Sequence, residues 1–170
     1  MVLIRGLGDP VVNSILIAVH AVAATIAFGA GLLAAPAGRF LGVYRGALAV
    51  MAAALVPAVL VDWSTTDPTA RIVFLGLIGL ACVMVVRAEL AARRPPARTG
   101  GPTGAYLEHI GFTLISLADG FAVVTAIRTG APGWAVGAMA VGVVVAGHLT
   151  LQLTKRRLIR PQELAVVGAC

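Results

Sequence analysis

Five apolar runs, each close to the length that crosses a hydrocarbon layer, follow one another along the chain with short polar breaks between them. They are Val11–Ala35, Val43–Val61, Ile72–Val86 with an amphipathic continuation Arg87–Arg94, Ala105–Ile127 and Gly133–Thr154. A helix rises about 1.5 Å per residue, so about 20 apolar residues span a ~30 Å bilayer core. The spacing therefore predicts an all-α polytopic transmembrane bundle of about five spans, at about 11–35, 43–61, 72–90, 105–127 and 133–154, forming a single transmembrane domain over residues 1–170. The first run is too long for the apolar region of a cleaved signal and reads as a retained helix.

The breaks carry turn chemistry. Pro36 closes the first run, and Ala37-Gly38-Arg39 makes a tight connection. Ser64-Thr65-Thr66-Asp67-Pro68 is a turn with Asp67 or Thr69 as cap of the third helix. A Pro- and Gly-rich loop runs from Arg94 to Gly104, and Thr129-Gly130-Ala131-Pro132 is a second tight turn. Pro57 is expected to kink the second helix.

Composition closes the soluble alternatives. The chain is 59% hydrophobic and 12% charged, against about 25% charged in soluble domains. The net charge of +6 does not mark a nucleic-acid binder, because the basic residues stand at the ends of the apolar runs. With five spans, Arg39, Arg45, Arg87, Arg93, Arg94, Arg98, Lys155, Arg156, Arg157 and Arg160 fall on one side and only Arg5, Arg71 and Arg128 on the other. The positive-inside rule then puts the N-terminus outside and the C-terminus in the cytoplasm, with Trp63 and Trp134 at the outer boundary. Cys82, inside an apolar run, reads as a small buried hydrophobe and Cys170 as a tail thiol. Gly29, Gly31, Gly76, Gly79, Gly133, Gly137, Gly142 and Gly147 permit close helix approach within the bundle or, through Gly/Ala-rich faces such as Gly133-x3-Gly137, between copies in a homo-oligomer.

Ionisable groups inside spans are the candidate site, because each is costly in lipid unless paired or wet. Asp119 lies nine residues from Arg128, roughly 13 Å into the layer. His109, Thr113, Ser116 and Asp119 follow at intervals of four, three and three and share one helix face. That stripe faces protein or a watery path, or else its members are satisfied locally on their own helix. His20 sits at a similar depth in the first span and is a candidate partner for Asp119 in proton relay, the alternative being a bond to a backbone carbonyl or hydroxyl. His109 and His148 stand near the cytoplasmic ends of the fourth and fifth spans, at depths about 3 Å apart. Flanked by Gly111 and Gly147, they are candidate ligands for b-type haem or a transition metal, or a polar interface pair. Glu89 and Glu108 read as interfacial ion pairs beside Arg87 and the basic loop.

The stretch His109-Ile110-Gly111-Phe112 with Leu117 and Phe121, and Arg39-Phe40-Leu41-Gly42-Val43-Tyr44, resemble segments of small multi-pass bacterial membrane proteins of unknown function. The resemblance covers about a third of the chain and implies four or five spans and no known activity; the cell (inner) membrane is the expected location. That group often carries a His before the latter glycine. No His stands between Pro36 and Gly42 here, so no metal role transfers with it.

No GxSxG, HExxH or phosphate loop occurs. Three function classes follow: proton-linked transport or relay of a small molecule or proton through Asp119, His20, Ser116 and Thr113; haem-based electron transfer through His109 and His148; and a non-catalytic membrane subunit or scaffold.

Overall fold

The computed structural model describes residues 10–61, 63, 68–96 and 101–167. Arg5, the Ser64–Asp67 turn residues, Arg98 and Cys170 lie outside the described residues. Every described element is a helix: α1 (Pro10–Ala37), α2 (Leu41–Val61), α3 (Pro68–Ala92), α4 (Gly104–Arg128) and α5 (Gly133–Val167). All five are long and apolar enough to cross a membrane, compatible with a multi-pass integral membrane protein. Four lie close to the expected spans. α5 runs well past Thr154, because the basic segment that leaves the apolar run is made of good helix formers. α3 begins at Pro68, so Thr69 is inside the helix and not its cap, while Asp67 lies outside the described residues. Pro36 and Pro57 both sit within helices.

The turns show why the helices stop where they do. At the end of α4 the N–H of Gly130 donates to Ile127 O and that of Ala131 to Ala126 O, the two bonds that close a helix through a left-handed residue. Gly130 supplies that conformation at φ +74°. Gly38 does the same between α1 and α2 at φ +68°, followed by Phe40 at φ +61°. α4 starts on an N-cap, with Thr103 Oγ1 accepting from Tyr106 N at 3.2 Å.

Helices α1 to α4 form a closed ring in which each packs on the next and α4 returns to α1; α5 packs on α4 alone. The ring is small inside and large outside. Ten of its nineteen buried hydrophobics are alanines, whereas Val, Ile and Leu dominate the exposed surface. Such a distribution suits lipid, where helices associate through close packing of small residues rather than by burying large ones. On α1 the buried Ala23, Ala27, Ala30 and Ala34 repeat at four and three, the spacing of a left-handed helix seam. Cys82 is exposed on the outer face of α3, a correction to its expected burial. That apolar face has only lipid to meet in a membrane, and a thiol is tolerated there as a small hydrophobe.

Polar side chains follow the rule that backbone and hydroxyl groups in lipid must be satisfied internally. The hydroxyls of Thr25, Ser116, Thr125 and Thr150 each donate to the carbonyl four residues back, at 2.7 to 3.0 Å. Longer polar links join neighbouring helices at the basic end of the bundle. Arg45 on α2 holds Glu89 on α3 through both carboxylate oxygens, one at 2.9 Å. Lys155 on α5 pairs with Glu108 on α4. The two glutamates do pair, each with a neighbouring helix. Tyr106 Oη donates to Ala34 O at 2.7 Å, tying α4 to α1. Ala34 O also accepts from Gly38 N, so Tyr106→Phe leaves no orphaned carbonyl. Its expected cost is about 1 kcal/mol, the net worth of one hydrogen bond, read as a modestly lowered melting temperature in detergent with the fold retained.

Candidate functional site

The polar residues of α4 do not stay on one path. Thr113 is fully buried and donates to His109 O at 3.3 Å. Ser116 and Asp119, further round the helix, line a cavity of about 460 Å³ between α3, α4 and α5, with Arg87, Glu108, His148 and Gln152. The Arg87 guanidinium lies over the Phe112 ring, 4.3 Å from the centroid. Cation–π contact offsets part of the cost of a charge at that depth.

The contacts between α4 and α5 set the order of these groups along the bundle. Gly111 faces Leu151, and Gly147 faces Ile115. The antiparallel register so fixed puts Gln152 level with Ile110 and His148 level with Leu114. From the basic end inward the cavity therefore presents Glu108, Gln152, His148, Ser116 and Asp119 in sequence. Eleven residues of α4 separate the first from the last, roughly 16 Å. Gln152 Nε2 donates to His148 Nε2 at 3.3 Å. Asp119 Oδ1 is shut off from solvent and has no hydrogen-bond partner.

A second cavity, of about 300 Å³, lies inside the ring between α1, α2, α3 and α4. It contains His20 and Ser116 and reaches Arg128 at the opposite end. Leu80 and Ser116 line both cavities. His20 Nδ1 lies 3.0 Å from Met51 O. A carbonyl only accepts, so Nδ1 carries the hydrogen and Nε2 is the basic nitrogen of the ring.

No hydrogen bond joins His20 to Asp119, since His20 Nδ1 is engaged by Met51 O and Asp119 Oδ1 has no partner. Phe28 meets Phe121 edge-on, and Gly31 faces Leu114. What the structure does is put one group in each cavity, on either side of Ser116. His20 takes the carbonyl bond that the sequence left open as its alternative.

The histidines expected as a pair are also separated. With His148 level with Leu114, His109 stands five residues nearer the basic end, roughly 7 Å away along the axis. His109 is not among the residues lining the His148 cavity. Its charged neighbours are Arg87 on α3, Arg94 just beyond the end of α3, and Glu108 beside it, and its Nδ1 is buried without a partner. Among the described residues no three of His, Cys, Asp and Glu converge as a metal site would require.

Arg87, Glu108 and Gln152 join the cavity without having been singled out as site residues. Gln152 was within reach of the sequence, since His148 and Gln152 are four apart on α5 and so share a face. Arg87 was not, because its contact is with Phe112 of another helix.

No protein-family model, no curated protein and no solved structure matches this chain. The fold is all-helical among the described residues, with five helices long and apolar enough to cross a membrane, compatible with a multi-pass integral membrane protein.

Proposed function

We propose that the chain is an inner-membrane protein, N-terminus outside and C-terminus cytoplasmic, that passes protons, or a small solute coupled to protons, between two half-cavities that meet on α4. The observation that supports this reading best is the sharing of Leu80 and Ser116 by two cavities that run toward opposite ends of the bundle. Each cavity holds a titratable group, Asp119 in one and His20 in the other. At ~30 Å³ per water, the two have room for roughly fifteen and ten waters. Ser116 is the narrow element between them, and its hydroxyl, bonded to Phe112 O at 3.0 Å, retains lone pairs that can accept from either side.

The chemistry asked of the residues is simple. A carboxyl group such as that of Asp119 can take up a proton on one oxygen and release it again. Proton arrival along Glu108, Gln152 and His148 neutralises it, and departure toward Ser116 and His20 restores the charge. His20, its Nδ1 fixed on Met51, offers Nε2 as the acceptor.

The test is proton flux in vesicles. Protein reconstituted into liposomes that enclose a pH-sensitive dye should collapse an imposed pH gradient faster than protein-free vesicles, with valinomycin and potassium present to balance charge. Equal rates would overturn the reading. Orientation has its own test, motivated by the ten-to-three charge sorting. In a chain lacking Cys82 and Cys170, Trp134→Cys should react with an impermeant maleimide in intact cells and Gly100→Cys should react only after lysis. The reverse pattern would invert the topology.

A further inference from the structure

We infer that the groove between α1 and α5 on the surface of α4 is a binding site for one anionic phospholipid, its acyl chain along the groove and its phosphate between Arg39 and Arg157.

The groove exists because α1 and α5 both pack on α4 but make no contact with one another. Its floor is Leu107, Gly111 and Leu114 of α4, and its walls include Phe28 and Leu32 on one side and Val143 and Thr150 on the other. The volume of this open groove is about 550 Å³. Two threonines, Thr150 and Thr154, are its polar side chains, and the Thr150 hydroxyl is committed to Ala146 O at 2.8 Å. So apolar a lining offers a polar solute nothing.

Shape selects among apolar occupants. The α5 wall runs from Val143 to Leu158, roughly 22 Å. A slot of that length along a helix surface matches an extended polymethylene chain, and it is longer than the ~15 Å depth of one leaflet.

Charge selects among lipids. Arg39 follows three residues after Pro36, which lines the groove. On α5, Val143, Ala146, Thr150 and Thr154 line it, and Arg157 continues the same face at the next interval of three. Arg39 and Arg157 are exposed, and neither has an ion-pair partner among the described residues, unlike Arg45 and Lys155. Two free cations at the mouth of an apolar slot complement a phosphate whose tail fills the slot, the arrangement basic pockets between membrane helices use for anionic headgroups.

Native mass spectrometry of the delipidated full chain, titrated with phosphatidylglycerol and with phosphatidylcholine of identical acyl chains, tests this. The expected result is one phosphatidylglycerol per chain, retained at least tenfold better than phosphatidylcholine. Arg39→Gln with Arg157→Gln should bring phosphatidylglycerol down to the phosphatidylcholine level, while Arg39→Lys with Arg157→Lys keeps most of the preference. Thr150→Trp, which fills the slot, should weaken both lipids. Equal retention of the two lipids, an undiminished preference in the double Gln variant, or a dimer displacing the lipid would each overturn the proposal.

Discussion

Asp119→Asn should lower protein-dependent proton flux by on the order of 100-fold, the lower range for removing a positioned proton-transfer group, while leaving the melting temperature nearly unchanged. Asn keeps the shape and the acceptor oxygen of Asp and adds a donor, so the cavity loses only titration. Asp119 Oδ1 has no partner, so Asn breaks no hydrogen bond there. Asp119→Leu separates the two roles. It also abolishes flux, and by replacing an unpartnered polar atom with an apolar group it should stabilise the fold or leave it unchanged. A structural Asp119 would behave oppositely: Asn silent in flux, and Leu destabilising. His20→Gln tests the second cavity, since Gln can still donate to Met51 O but does not titrate. With both groups on one path, the double variant should be no slower than Asp119→Asn alone, a non-additivity that independent sites would not show.

The reach of the sequence ended where depth had to be compared between helices. The five spans were legible because lipid imposes a length and a composition on each one separately. Within α4, the interval of three from Ser116 to Asp119 placed both on one face, and they line one cavity. Thr113, assigned to the same stripe, turns into the core instead, because 3.6 residues per turn lets a run at four, three and three straddle two faces. Between helices, inference failed by ångströms that matter. Depths counted from span ends could not show that His20 and Asp119 line different cavities, nor that Gly147 and Gly111 seat α5 on α4 in a register that sets His109 and His148 apart. Glu89 could be read as an interfacial partner of some cation, but its choice of Arg45, forty-four residues away, is a product of α2–α3 packing that no local spacing encodes.

That register also carries the second large expectation. Gly147→Leu should detach α5 from the bundle. A Cβ at position 147 would stand 2.6 Å from Ile115 Cγ1 and 3.1 Å from its Cγ2. Ile115 cannot swing aside readily, because a β-branched side chain in a helix has one strongly preferred χ1. Overpacking of this kind costs about 1–3 kcal/mol, and α5 has little to set against it, since none of residues 133–159 is buried and its packing partner is α4 alone. The strain is therefore relieved by moving α5, not by unfolding α1 to α4. Hydrogen–deuterium exchange in detergent should rise across Gly133–Ile159 and stay unchanged across α1 and α2. Gly142→Leu is the control: a Cβ there meets nothing within 4 Å, so exchange should not change. Because α5 walls both the His148–Asp119 cavity and the acyl groove, Gly147→Leu should also lose proton flux and phosphatidylglycerol retention together, whereas Asp119→Asn loses the first and keeps the second. A uniform rise in exchange over all five helices would show instead that α5 is part of the cooperative core.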